Sequence, residues 1–310
     1  MSRALIVFIA LLLLAAPAAA EGPGFALRCF GTGSGDIDRV KIQVDVVGES
    51  STPTTPVNVG NADFTIELWM RPIGTNNGTV SAGPSNGWIN GNIFIDHDRF
   101  GQNRSFGASL GSGQVCFGII GADDAQRTIC GTTDIRDGAW HHVAITRQRS
   151  DGALAVYVDG AQEATASAAN GPDGDVSYPD DATPCSNCCG GGNCNFSDPY
   201  LVLCAEKHDA GGSFPSFSGQ IDELRVSSSI RYTGTFTRPS APFIPDASTI
   251  ALYHFDESTG TAARDVMDGR NHGVLSVGGP DNGPTWVSST APLGGSESFG
   301  RTILRRLFGP

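Results

Sequence analysis

The stretch that most constrains the fold is DGAWHHVAITRQRSDGALAVYVDG, Asp137 to Gly160. It reads as one β-hairpin. In the first arm Val143 and Ile145 alternate with polar neighbours. In the second, Leu154, Val156 and Val158 share one face while Ala155, Tyr157 and Asp159 share the other. Ser150, Asp151 and Gly152 supply the turn between the arms, because Asp tolerates the left-handed region and Gly enters it without a Cβ clash. Asp159-Gly160 closes the second arm and begins another turn. A lone hairpin is marginal in water, so its apolar face must lie on a second sheet. The expected fold class is all-β, a two-sheet antiparallel sandwich.

The same alternation recurs along the chain. Val40, Ile42, Val44 and Val46 face one way in the stretch 39–47, and Phe64, Ile66, Leu68 and Met70 do so in 63–70, where Arg71-Pro72 ends the run. Further short strands are expected over 93–96, 105–110, 114–120, 200–205, 219–226, 249–255 and 273–277. The 41 glycines and 18 prolines are dispersed between such runs, as turns joining many strands require. Within GQIDELRVS, Asp222 falls in phase with Leu224 and Val226, which puts a carboxylate on the apolar face and obliges it to find a partner. The polar excursion 76–91 and the irregular stretch 170–199 interrupt the pattern. Arg238-Pro239, Ala241-Pro242 and Ile244-Pro245 make a non-helical crossing.

Residues 1–20 read as a signal peptide. Arg3 is the basic n-region, Ala4 to Ala16 the apolar core, and Ala18-Ala19-Ala20 fits the cleavage site. The protein is therefore expected to be secreted, extracellular or periplasmic, with no stable membrane insertion after cleavage. Loss of Arg3 moves the net charge from −12 to −13. So acidic a chain offers no basic stripe for phosphates, which argues against nucleic acid as a partner. Residues 21–293 are expected to form one β-sandwich domain that includes the C-terminal strand segment 249–293. Residues 294–310 are expected to be a flexible basic tail, in which Arg301, Arg305 and Arg306 accompany Ile303, Leu304, Leu307 and Phe308; a short amphipathic surface helix for a partner or membrane is the other reading.

All eight cysteines lie beyond the signal, and an even number in an exported chain favours disulfides. Cys116 and Cys130 flank the turn 121–124 symmetrically, so antiparallel pairing about Asp123 sets them opposite each other at bridging distance. Cys185, Cys188, Cys189, Cys194 and Cys204 form a second cluster, which Cys29 completes to six. A C-x-x-C start there has no matching second pair, which favours disulfides over zinc; their connectivity stays open.

Several blocks carry a resemblance. DFTIELWMRP, WHHVAITRQRSDGALAVYVDG, FSGQIDELRVS and LYHFDESTGTAARDVMDGRNHGVL together resemble laminin-G-like jelly rolls of the concanavalin A-like lectin and glucanase superfamily. The hairpin and the G-x-I-D-E-x-R-V strand are the most specific of them. The FDE segment often precedes such a domain and here follows it, which suggests an edge strand placed by the other terminus. The resemblance implies a disulfide-stapled jelly roll that binds glycans or extracellular partners, often with calcium. Carried over from the related glucanases, a structural calcium would take Asp36 or Asp38, the Gly60 and Asn61 carbonyls, and Asp222. The other reading of Asp222 is a carboxylate that accepts backbone N–H groups with no metal.

Catalysis has less support. The glucanases supply their acids as E-x-D-x-x-E on one strand, and neither Asp96-His97-Asp98 nor Glu206-Lys207-His208-Asp209 has that spacing. No H-E-x-x-H motif occurs. His141 and His142 are adjacent and must point to opposite faces. A polar constellation remains: Asp96, Asp98, Arg99 and Arg104 beside one set of turns, Glu206, His208 and Asp209 beside another. If the two meet at one rim they form a ligand or ion site, or salt bridges that order two loops. Trp88, Tyr178 and Phe196 are candidate stacking rings for a sugar. The expected function is a secreted, non-catalytic binding module for carbohydrate or an extracellular partner. A purely structural or adhesion domain, and a glycoside hydrolase with another site, are the rivals.

Overall fold

The computed structural model describes residues 24–32, 38–45, 55–99, 103–166, 174–179, 199–208, 210–267, 269–276 and 283–294. These contain β1 (Phe25–Phe30), β2 (Arg39–Gln43), β3 (Phe64–Pro72), β4 (Asn92–His97), β5 (Ser105–Gly111), β6 (Gln114–Ile120), β7 (Gln126–Cys130) and β8 (His141–Arg147). They continue with β9 (Leu154–Val158), β10 (Ala161–Ala166), β11 (Tyr200–Leu203), β12 (Ser218–Ser227), β13 (Thr249–Tyr253), β14 (Ala262–Ala263), β15 (Gly273–Ser276) and β16 (Thr285–Ser288).

One sheet has the order β10-β9-β8-β3-β12-β1-β16, with β13 also on β12. The other runs β14-β15-β2-β11-β4-β5-β6-β7. Pairing between the strands is antiparallel throughout, and the inner faces close on one core. This is the jelly-roll sandwich that the hairpin requires.

The hairpin sets the phase of the first sheet. Val143 pairs with Val158 and Ile145 with Val156, and all four lie in the core. Across β3, Ile66 and Leu68 meet Ile145 and Val143 on the same face. At the second turn both Asp159 (φ 50°) and Gly160 (φ 84°) are left-handed, so Ala161 folds back onto Val158.

The outward face of this sheet is also covered. Trp69, Trp140, Phe243, Leu252 and Ala26 pack there, and Tyr232 and Phe236 lie against Ala144, Ala155 and Tyr157. The proline-rich crossing after β12 supplies Tyr232, Phe236 and Phe243. Trp140 and His142 are thus the outward residues of the hairpin, held beneath that strap, whereas Val143 and Ile145 face the core.

Cys116 and Cys130 are register partners and are bonded, with Cα atoms 4.0 Å apart. Cys29 bonds Cys204 of the second cluster and ties β1 of one sheet to the end of β11 in the other. Cys185, Cys188, Cys189 and Cys194 lie outside the described residues, as do the signal, Asp36, Asp209, Phe196 and the tail.

β3 ends at Pro72, as Arg71-Pro72 requires. Some expectations fail. The short strands β1, β10 and β16 were not anticipated. Most consequential is the phase of β12. Asp222 pairs with Trp69, but Arg225 already pairs with Glu67, so Glu223 and Leu224 together face one residue of β3. Glu223 adopts φ 51° to make this bulge. Ile221, Leu224 and Val226 therefore point into the core, and Asp222 turns to the outer side with Trp69. The bulge also marks a change of neighbour: β1 pairs with β12 before it and β13 after it.

Candidate functional site

β4 and β11 are neighbours, with Val202 opposite Asp96. Beyond this register the chain runs from β4 on to Asp98, and after β11 it turns through Cys204 (φ 79°) into Glu206, Lys207 and His208. The two ends are stitched by carboxylates. Asp96 accepts the backbone N–H of Asp98 (2.6 Å) through one oxygen and that of Lys207 (2.7 Å) through the other. Glu206 accepts the backbone N–H of His208 at 2.6 Å. His208 Nδ1 lies 3.2 Å from Glu206 Oε1 and 3.4 Å from Asp98 Oδ2. Asp98, Glu206 and His208 each place a ligand atom within 4.8 Å of the others.

All of these side chains are buried. Burial pushes the Asp96 carboxyl well above its ordinary value, and the charges of Glu206 and Asp98 push the same way, while Lys207 and His208 oppose. Lys207 donates to the Tyr200 carbonyl (3.0 Å) and sits 4.9 Å from the centre of the Tyr178 ring. Arg99 approaches the same ring at 5.4 Å. Of the polar constellation, then, Asp96, Asp98, Glu206 and His208 meet, and Arg99 joins them through Tyr178. Arg104 instead binds Asp175 (2.7 Å) and Ser177 (3.0 Å). Two carboxylates and one imidazole on a rigid sheet end can hold a divalent cation, and the imidazole suits a borderline ion better than calcium.

The described groups of the calcium set carried over from the glucanases have hydrogen-bond partners of their own. Asp38 spends its carboxylate on the N–H groups of Phe30, Gly31 and Thr32. The Gly60 carbonyl accepts from Arg147 and Val176. Asp222, moved outward by the bulge, accepts from the Ser289 hydroxyl. Asp38, the Gly60 carbonyl and Asp222 thus each have hydrogen-bond partners in a different part of the chain. Burial is the main influence on both acids. It raises Asp38 to about 6 against the pull of its three N–H donors, and raises Asp222 to about 7 with help from Glu223 and Asp256.

A second buried ionic group was missed. Glu67 is fully buried beneath the strap and accepts from His142 Nε2 (3.0 Å), Arg225 Nε (2.9 Å) and the Tyr232 hydroxyl (2.7 Å). Burial alone would raise its carboxyl, but the hydrogen bonds and the nearby cations bring it below the ordinary value. The rings of Tyr232, Phe236 and Phe243 all stand edge-on to His142 and shut this network off from a substrate. The alternation of DFTIELWM held the clue, since it turns Glu67 away from the core. His141 points elsewhere, to Asp159 (2.8 Å) and Asp137 (3.0 Å), as two adjacent strand residues must.

Two of the candidate stacking rings lie among the described residues, and neither is on the surface. Trp88 is fully buried, and a Cβ at Gly107 or Gly118 would come within 2.1 Å of its ring. Tyr178 is also buried, edge-on to His97.

Residues 47–183 match a laminin-G family profile described as the concanavalin A-like lectin/glucanases superfamily. No curated protein sequence is significantly similar to the chain. Among solved structures, a candidate carbohydrate-binding protein of Bacteroides ovatus superposes with a TM-score of 0.52 at 16% identity, over 87% of this chain and 61% of that one. The chain therefore spans less than two thirds of that protein. A heptameric SAP-like pentraxin from Limulus polyphemus gives a TM-score of 0.43 at 16% identity, over 68% of this chain and 79% of that one. The CBM40 domain of a Ruminococcus gnavus IT-sialidase, bound to α2,3-sialyllactose, gives 0.37 at 14% identity, over 56% and 79%.

Proposed function

We propose that this jelly roll, whose residues 47–183 match the concanavalin A-like lectin/glucanase superfamily, is an exported, non-catalytic module that recognises carbohydrate. The superfamily name spans both binding and hydrolysis, so the acids have to separate the two. One observation carries the choice: the carboxyl groups gathered at the β4–β11 rim are buried and fixed by backbone N–H donors. A glycosidase needs two carboxyl groups that flank a sugar bond in an open cleft. These groups hold two strand ends together instead. The disulfides that join and pin the sheets fit an oxidising compartment. The fold likeness to a candidate carbohydrate-binding protein adds to this reading.

A divalent cation belongs to the proposal as an organiser of the rim, held by Asp98, Glu206 and His208. It would neutralise carboxylates that burial otherwise makes costly. The residues after 20 are the exported form, and 21–293 the binding domain. The test is a glycan array on the mature protein, with and without chelator. Binding to glycans, with no release of reducing sugar, supports the module. A silent array beside tight binding to a cell-surface protein removes the carbohydrate reading, and sugar release that Asp96→Asn abolishes restores the hydrolase. For the cation, zinc, manganese and calcium are each titrated while the melting temperature is followed. A rise with one of them, lost in His208→Ala, is the expected result.

A further inference from the structure

Trp88 and Tyr178 are buried and cannot stack on a sugar, and the large exposed apolar side chains among the described residues are Ile244, Val266, Met267 and Val274, none of them aromatic. Hydrogen-bonding groups are the other means of recognising a sugar. One groove is built for that. It has a volume of about 670 Å³, within the range of small-molecule sites, and opens between the excursion after β3 and the segment that leads into β12. Its lining consists of glycines, one proline, and neutral hydroxyl and amide side chains. In a chain of net charge −12, a groove with no carboxylate in its lining is a departure from the average surface.

The groove is rigid at its base. Asn92 accepts the N–H of Gly78 (2.7 Å) and donates to the Ser216 carbonyl (2.9 Å), so both walls hang from one side chain. Gly78 cannot gain a side chain, because a Cβ there would lie 2.7 Å from the Asn92 nitrogen. Ile93 bridges to Ser216 through the backbone. On this frame the Ser216 residue is 3% exposed, and its hydroxyl is buried with no hydrogen-bond partner among the described residues. A hydroxyl left unpaired in a polar recess is an exception that calls for a partner. Thr75, Thr79, Ser81, Asn90 and Ser213 stand exposed around it with both donors and acceptors.

We infer that this groove is the sugar subsite, and that its ligand is a neutral oligosaccharide whose hydroxyl groups bond Ser216 and the amide and hydroxyl rim. This rests on the carbohydrate-binding reading above. Anionic glycans are excluded by the same logic, since the lining offers no cation to a carboxylate or sulfate.

The test is calorimetric titration of the mature protein with cellotetraose, mannotriose and chitotriose, and with 3′-sialyllactose as the anionic arm. Three variants accompany it. Gly212→Trp plugs the mouth; Gly212 is exposed and a Cβ there meets nothing within 4 Å, so the fold tolerates it. Ser216→Ala removes the buried hydroxyl, and Asn90→Ala removes a rim amide. The expected result is binding of at least one neutral sugar, lost in Gly212→Trp and weakened about fivefold to tenfold in Ser216→Ala, with unchanged melting temperature in Gly212→Trp. Neutral-sugar binding that Gly212→Trp leaves intact overturns the groove and keeps the carbohydrate reading. Binding of sialyllactose alone overturns the ligand class. No binding by any of the four overturns both.

Discussion

Asp222 offers a prediction that separates a buried acid from a calcium ligand. Its carboxyl is 3% exposed and is bonded by the Ser289 hydroxyl. Burial is the largest reason that it is raised from 3.8 to about 7; the Glu223 and Asp256 charges add to this and Ser289 works against it. The folded protein thus holds this proton more tightly than the unfolded chain. The stability it contributes is complete below about pH 4 and is lost as pH rises through about 7. A gap of about 3 on the pH scale, at 1.36 kcal/mol for each, is about 4 kcal/mol at most. Asp222→Asn keeps an acceptor for Ser289 and carries no charge. Urea titrations of both proteins from pH 4 to pH 9 should find them equal near pH 4. The variant should become more stable by about 2–4 kcal/mol above pH 8, with its midpoint raised by about 1 M or more. Titrating groups distant from Asp222 cancel in the difference. Parallel curves, or a less stable variant at pH 8 in calcium buffer with a calcium-raised wild type, would refute the reasoning and return Asp222 to a metal.

Other substitutions test the frame. Trp88→Ala should cost about 3–5 kcal/mol in urea unfolding and leave sugar affinity unchanged, because the ring is a core element against Gly107 and Gly118. Glu67→Gln should cost about 3–5 kcal/mol, because Arg225 at 2.7 Å is left as an uncompensated buried charge. Replacing Cys116 and Cys130 together by Ser, at a separation of 14 residues, should cost about 3 kcal/mol, and reductant should then no longer change that pairing's contribution.

The hairpin was legible because its signal is local: period-two alternation, turn residues at fixed places, and one register that satisfies both arms. The Cys116–Cys130 pair was legible for the same reason, through symmetry about Asp123. The meeting of Asp96, Asp98, Glu206 and His208 could be anticipated because both runs end neighbouring strands. Other features were hidden for physical reasons. β10, with sequence AQEATA, has almost no apolar contrast and exists because β9 presents an edge to it. β1 and β16 pair across most of the chain length, which no local pattern encodes. The bulge at Glu223 inserts one residue into a smooth alternation, and that single step moves Asp222 from the core side to the outer side. Trp88 looked exposed because it sits in a polar stretch, but Gly107 and Gly118 leave a slot of its size. The groove was hidden because Asn and Ser at its rim look like ordinary loop composition until Asn92 ties the two walls together.

The most direct measurement is binding and integrity in one experiment. The mature protein is equilibrated with neutral oligosaccharides, the complex is isolated, and the bound sugar is identified by mass spectrometry after a day. A neutral oligosaccharide recovered whole from the wild type, and absent from Gly212→Trp, is the predicted result. Recovery of shortened sugars, or no sugar from either protein, would contradict the account.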